Sequence, residues 1–182
     1  KYRNGSDPDL YPNVNWIDEL YRDLAHNRKI NLNITGGGEI AKYYISGGYY
    51  NESSIFKEAG DRYDYNTSIN YDKYMFRANI DFSVTPSTVL NVNLANIYEK
   101  SFGPGRNKDD IWYYTFNTSP NAFPIEYSDG TISAPSAASG YNPWNLLVHS
   151  GYREQFWNSS QALIGVTQDF GKGSLRGLCL DA

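Results

Sequence analysis

The sequence predicts an all-β protein of antiparallel up-and-down hairpins that form part of a transmembrane β-barrel. Stretches of about ten residues alternate between apolar and polar side chains, and the connections between them are alternately short and long. Tyr (17 residues) and Gly (16) are abundant, although the mean hydropathy is polar at −0.60. A barrel wall has one face on lipid and the other on a wet lumen, and this composition suits it.

Two other protein classes compete with the barrel. A soluble, aromatic-rich carbohydrate-binding β-module explains the composition equally well, since Tyr combines an apolar body with a polar tip. Such a module would bury Phe76, Ile80, Leu90, Val92 and Leu94 between two sheets, whereas a barrel would place them on lipid. A secreted glycan hydrolase is disfavoured because nothing in the sequence pairs two carboxylates across a sugar site.

The N-terminal part predicts one short helix over residues 15–24. Trp16, Leu20 and Leu24 recur at intervals of four on one helical face, and Asn15 precedes them as the expected N-cap.

From Lys29 onward the apolar residues recur with a period of two. Ile30, Leu32 and Ile34 alternate with polar residues there, which is typical of a half-buried strand.

Three hairpins, and therefore about six strands, are predicted from residue 29 onward. Their strands are expected at 29–35, 41–51, 73–82, 89–98, 153–170 and 175–182. The short turns are 36–39, 85–88 and 171–174, and the long connections are 52–72 and 101–152. Short connections on one side and long ones on the other are typical of a barrel with periplasmic turns and extracellular loops. Six strands cannot close a large pore alone, because barrel diameter grows with strand number.

Composition and motifs disfavour several functions. The net charge of −4 and the pI near 5.1 argue against nucleic-acid binding. His26 and His149 are far apart and lack a second His at ligand spacing, so no metal site is expected. Asp109 and Asp110 are interpreted as capping the short helix expected over 109–116 and not as a catalytic pair. We therefore expect no enzyme activity and no cofactor.

An aromatic cluster in the long loop is the candidate ligand site. Sugar rings stack on flat aromatic faces, and exposed loop aromatics favour binding roles. The alternative is that these side chains pack the loop onto itself or against a partner. The candidates are Trp112, Tyr113, Tyr114, Tyr141 and Trp144.

Five segments resemble the SusC/RagA family of TonB-dependent outer-membrane transporters. Residues 11–19 resemble the segment that joins plug to barrel, and 31–37 with 43–49 resemble the first barrel hairpin. The strand 76–81 and the motif Tyr141-Asn142-Pro143-Trp144 also fit. The order and spacing of these segments extend the likeness over about residues 1–170.

The resemblance implies an organisation and a function. Residues 1–28 would connect plug to barrel, and 29–182 would form early barrel strands with an extracellular loop at 101–152. Members are large barrels with an internal plug in the outer membrane of Bacteroidetes. They pair with a SusD-like surface lipoprotein, import glycans or peptides, and draw energy from the TonB complex. The resemblance therefore implies that these 182 residues are a fragment that includes neither the plug nor most of the barrel.

Overall fold

The computed structural model describes residues 2, 5–57, 68–135, 141–170 and 179–181. Within these ranges the all-β prediction is confirmed by a six-stranded sheet in the order β1-β2-β3-β4-β5-β6, with one short helix before β1 and two between β4 and β5. The strands are β1 (Asn27–Gly37), β2 (Ala41–Ser53), β3 (Asn70–Thr85), β4 (Thr88–Pro104), β5 (Tyr152–Asp169) and β6 (Cys179–Asp181). The helices are α1 (Trp16–Leu20), α2 (Lys108–Asn117) and α3 (Pro143–Val148).

Each strand pairs with the strand next to it in the chain, as an up-and-down arrangement requires. The last pair, β5 and β6, is antiparallel and places Thr167 opposite Asp181. In this order β1 and β6 each have one neighbouring strand among those described. The predicted turn at 171–174 lies outside the described residues, as does the middle of the predicted connection 52–72.

Helix α1 is shorter than the sequence predicts. It ends at Leu20 because Tyr21 is extended (φ −110°, ψ 147°) and forms an isolated β-bridge with Phe56. Leu24 is 83% exposed, so its assignment to the buried helical face is wrong. Asn15 precedes the helix, but its side chain donates to Asp18 and caps no backbone N–H.

The long connection 101–152 contains more regular structure than its composition indicates. Strand β4 continues to Pro104, about six residues beyond the predicted end, because the period-two pattern of apolar residues is lost before the backbone pairing ends. Helix α2 matches the helix expected over 109–116. Helix α3 was not expected, although Asn142 followed by Pro143 is a favourable helix start.

The chain divides into two compact units. A strand unit comprises residues 27–51, 72–100 and 156–182, and a loop unit comprises residues 1–26, 52–71 and 101–155. The proposed division into a connecting segment, 1–28, and barrel strands, 29–182, remains a prediction. Within the described residues, no helix combines the length and the hydropathy needed to cross a membrane.

Side-chain contacts within the strand unit define two faces of different chemistry. On one face, the rings of Tyr49 and Tyr74 lie 5.0 Å apart and those of Tyr74 and Tyr98 6.1 Å apart. Alternation along the strands adds aliphatic and aromatic residues to this apolar face. It includes Ile30, Leu32, Ile34, Tyr43, Ile45, Phe76, Ala78, Ile80, Phe82, Leu90, Val92, Leu94, Phe156, Ala162, Ile164 and Val166.

The opposite, polar face is held by hydrogen bonds and an ion pair. Asn91 Nδ2 donates to Asp81 Oδ1 at 2.8 Å, and Thr167 Oγ1 donates to Asn91 Oδ1 at 3.3 Å. Lys73 pairs with Glu99 at 2.7 Å. These residues occupy the alternate positions of the same strands, so the two faces differ in chemistry as in a wall between lipid and water, although the exposed Trp157 and Leu163 of β5 lie at positions of the polar face.

Exposure on the apolar face distinguishes the barrel wall from the sandwich. Leu32 is 70% exposed, Phe76 48%, Leu94 40% and Ile164 67%. A sandwich would bury these side chains against a second sheet, and the described part of the chain forms a single sheet. Large apolar side chains exposed over several strands need another apolar phase or partner to cover them.

A small polar cluster interrupts the apolar face. Asn96 Nδ2 donates to Asn158 Oδ1 at 2.7 Å and to Ser160 Oγ at 2.8 Å. These bonds link β4 to β5 and pair polar atoms that would otherwise lack partners in an apolar medium.

Candidate functional site: an aromatic loop cluster

The loop unit has its own hydrophobic core, which fixes the position of the aromatic candidates. Helices α1, α2 and α3 all contact one another. Leu20, Ile111, Leu147 and Val148 are fully buried at 0% exposure. Other core members are Trp16, Phe56, Phe123 and Leu146.

Helix α2 presents one buried and one exposed side. The Asn107 side chain accepts from the backbone N–H of Asp109 and so caps the helix, which corrects the assignment of the cap to Asp109 and Asp110. Both acids lie in the first turn, where negative charge is favourable. Ile111 and Thr115 are buried on the core side, and the Thr115 hydroxyl donates to the Ile111 carbonyl at 2.7 Å.

The exposed side of α2 presents three aromatic rings. Trp112 is 51% exposed, Tyr113 58% and Phe116 52%. The rings of Trp112 and Phe116 lie 4.7 Å apart, since residues four apart are neighbours on a helix. On its other side Trp112 contacts Tyr21, at 5.7 Å and 74° between the planes. Trp112 is therefore held between two rings while about half of its surface remains accessible.

The other three candidates are partly buried and pack against the core. Tyr114 makes edge contacts with Tyr113 at 5.2 Å and with Tyr141 at 5.1 Å. Tyr114, Tyr141 and Trp144 are partly buried against the core. The structure therefore brings Tyr113, Tyr114 and Tyr141 together, whereas Trp112 forms a separate group with Tyr21 and Phe116.

Asn142 anchors the segment that carries Tyr141 and Trp144. Its side chain is 1% exposed and accepts from the N–H groups of Trp144 (3.0 Å) and Asn145 (3.3 Å). Its amide donates to the carbonyls of Ile125 (3.1 Å) and Ser133 (2.9 Å). The buried Asn142 side chain thus caps α3 and joins this helix to the irregular segment that contains Ile125 and Ser133.

A groove lies beside the exposed rings. It has a volume of about 320 Å³ and is lined by residues 13–17 and by Thr115, Phe116, Thr118 and Pro120. Ile17 is 49% exposed, so the groove is bordered by two accessible apolar side chains. The sequence also places Phe116 among the aromatic residues of the long loop, and its spacing of four from Trp112 puts the two rings on the same side of the helix.

Two titratable groups in the loop unit are shifted. Burial raises the pKa of the Tyr21 hydroxyl above its ordinary value, and the neighbouring Thr115 side chain opposes the rise. Hydrogen bonds from Thr131 lower the pKa of the Asp129 carboxyl, which closes a tight turn. Within the described residues, no three His, Cys, Asp or Glu side chains lie close enough to bind a metal ion.

Comparison with known proteins indicates the class of the chain. No family model matches it. The chain is 32% identical over 163 residues to TonB-dependent receptor P26 of Formosa agariphila, which covers 85% of this chain and 14% of the receptor. It is 22% identical over 116 residues to TonB-dependent receptor P39 of the same organism, which covers 64% of this chain and 10% of that receptor.

These similarities support the TonB-dependent receptor family as the class of protein to which the chain is related. They do not distinguish the SusC/RagA subfamily within it. The chain spans about one seventh of the first relative's length and one tenth of the second's.

Proposed function

We propose that this chain forms part of the wall and extracellular side of a SusC/RagA-type TonB-dependent transporter in the outer membrane of a Gram-negative bacterium. The observation that carries the proposal is the up-and-down sheet with two faces of different chemistry, whose apolar face is exposed at Leu32, Phe76 and Ile164. Its similarity to two TonB-dependent receptors supports the same class.

The proposed transporter takes up a glycan or a peptide with energy from the TonB complex and works with a SusD-like surface lipoprotein. The support for the subfamily and for the lipoprotein is the resemblance of residues 11–19, 31–37 and 141–144 to SusC/RagA proteins. The role of the chain is structural and ligand-binding, and not enzymatic.

Within this transporter, the aromatic loop cluster contacts the substrate. Trp112 and Tyr113 are assigned direct contact, because their rings are more than half exposed on a helix fixed by the core. Tyr114 and Tyr141 support Tyr113, Tyr21 and Phe116 contact Trp112, and Trp144 packs against the core of the same unit. An exposed aromatic face that is already ordered loses little side-chain entropy when a sugar ring or an apolar side chain stacks on it.

Uptake measurements on the full-length protein test the transport proposal. In the native host, deletion of the gene should abolish growth on one glycan or peptide source, and collapse of the proton motive force should stop uptake. Outer-membrane fractionation should recover the protein with a lipoprotein partner. Normal growth of the deletion strain on every source tested, or recovery of the protein in the soluble fraction, would contradict the proposal.

The aromatic assignment has a separate test. Replacing Trp112 and Tyr113 by Ala in the full-length transporter should weaken substrate binding by about fivefold per ring, since aromatic contacts contribute about 1 kcal/mol beyond burial and a factor of ten corresponds to about 1.4 kcal/mol. The control is Tyr127→Ala, because Tyr127 is 37% exposed in the same unit but outside the cluster. Equal affinities for the wild type and the Trp112 and Tyr113 variants would refute the assignment.

A further inference from the structure

Three basic side chains surround a small cleft at the C-terminal end of β4, in the loop unit. Arg106, Lys108 and Arg153 line it together with the strand end 101–104. The cleft has a volume of about 100 Å³, which leaves room for a small charged group such as a carboxylate or a sulfate.

Backbone packing brings the two arginines together from distant parts of the sequence. Gly105 N–H donates to the Gly151 carbonyl at 3.1 Å, and Arg106 N–H donates to Ser150 Oγ at 3.2 Å. A side chain at Gly105 would overlap the Ser150 carbonyl, so only glycine permits this approach. Arg153 Nη2 then donates to the Gly105 carbonyl at 3.3 Å, which fixes its guanidinium beside the cleft.

Among the residues that the structure describes, no carboxylate lines the cleft. Among the described residues, neither Arg106 nor Lys108 has a carboxylate partner, and the bond of Arg153 is to a neutral carbonyl. Asp109 and Asp110 follow Lys108 in the chain but do not line the cleft. Three like charges around one concavity repel each other and attract an anion, and arginine can bind a carboxylate or sulfate through two parallel hydrogen bonds.

A stacked aromatic pair borders the cations. Phe102, which lines the cleft, stacks on Tyr152 at 5.5 Å between centroids and 17° between planes. Tyr152 is 56% exposed and lies next to Arg153 in the chain. A flat ring beside a group of cations suits a ligand in which a sugar ring carries a negative charge.

We infer that this cleft binds the anionic substituent of an acidic glycan, a carboxylate or a sulfate, while the sugar ring packs on Tyr152. The inference rests on the proposed function, because it assigns a substrate class to the extracellular side of the same transporter. It concerns residues outside the aromatic loop cluster and predicts a dependence on salt that aromatic stacking alone does not produce.

Binding to the purified full-length transporter in detergent tests the inference. The probes are oligogalacturonate (carboxylate), dextran sulfate (sulfate), neutral dextran and poly-glutamate. The test variant carries Arg106→Gln, Lys108→Gln and Arg153→Gln. The control variant carries Arg28→Gln, Lys29→Gln and Lys42→Gln, which removes the same number of exposed charges from the strand unit.

We expect the wild type to bind at least one acidic glycan, and the test variant to bind it about tenfold more weakly at low salt. The difference should shrink at about 1 M salt, where the screening length is about 3 Å. The affinity of the control variant should change by less than about twofold. The carboxylated and sulfated probes distinguish which of the two groups the cleft prefers.

Several results would overturn the inference. The inference is wrong if the wild type binds neither acidic glycan, if the control variant loses as much affinity as the test variant, or if the test variant keeps the affinity of the wild type. Tighter binding of poly-glutamate than of both acidic glycans would indicate an acidic peptide instead. These binding measurements need no energised membrane, so they test the cleft even if TonB-dependent uptake fails. Normal uptake by the test variant would leave the transport proposal intact.

Discussion

Replacing Leu147 by Ala should loosen the whole loop unit. Leu147 is fully buried in the core that joins the three helices. A Leu→Ala change at such a site costs 2–5 kcal/mol, the sum of lost transfer free energy and a cavity. With about 3 kcal/mol lost, and a factor of ten for each 1.4 kcal/mol, the core amides of α2 and α3 should exchange hydrogen about 100-fold faster.

The assay is hydrogen exchange on the full-length protein, with Leu24→Ala as the matched control. Leu24 is the same residue type in the same unit but is 83% exposed, so its replacement should change exchange by no more than about twofold. Similar exchange in the two variants would refute the conclusion that the loop unit is held by its own core.

Four further predictions concern single features of the two units. Asn142→Ala should destabilise α3 by about 2 kcal/mol, since it removes both the helix cap and the amide that donates to the Ile125 and Ser133 carbonyls; hydrogen exchange of α3 checks this against Asn145→Ala. Gly105→Ala should disrupt the approach to Ser150 and lower melting temperature, whereas Gly38→Ala, where a Cβ meets nothing within 4 Å, should not. Asn96→Leu should cost about 1 kcal/mol in detergent unfolding because Asn158 and Ser160 lose their donor, and a gain in stability would contradict this. Because the Tyr21 pKa is raised above 10.0, the neutral hydroxyl stabilises the loop unit below pH 10, and this contribution is lost as the pH rises further. Trp fluorescence followed above pH 10 should show this loss of stability in the wild type, and Tyr21→Phe should remove it.

The sequence predicts the strands well where one face must be apolar. In β3, Tyr74, Phe76 and Phe82 alternate with Arg77 and Asp81, and this period of two fits a strand and not a helix. Strand ends are harder to predict, because β4 continues past Tyr98 to Pro104 through backbone pairing that does not require apolar alternation. The length of α1 is overestimated from the sequence because Leu24 fits the helical period. In the structure the pairing of Tyr21 with Phe56 ends the helix at Leu20.

The candidate site shows a different limit. The sequence locates the aromatic cluster, because Trp112, Tyr113 and Tyr114 are adjacent, but it cannot tell which rings face the core. That depends on Ile111 and Thr115 being the buried side of α2. The basic cleft could not be predicted at all, since Arg153 reaches Arg106 only through the packing of Gly105 against Ser150 and Gly151.

The central claim is that the sheet separates lipid from water, and site-directed spin labelling of β4 tests it most directly. Single cysteines would be placed at positions 90–98 of the full-length protein in bilayers, with the exposed Cys179 replaced by Ser. The account predicts that labels at Leu90, Val92 and Leu94 respond to lipid-soluble oxygen, and that those at Asn91, Asn93 and Ala95 respond to an aqueous nickel complex. Equal access of the aqueous reagent to both sets, or protection of both from both reagents, would contradict the account.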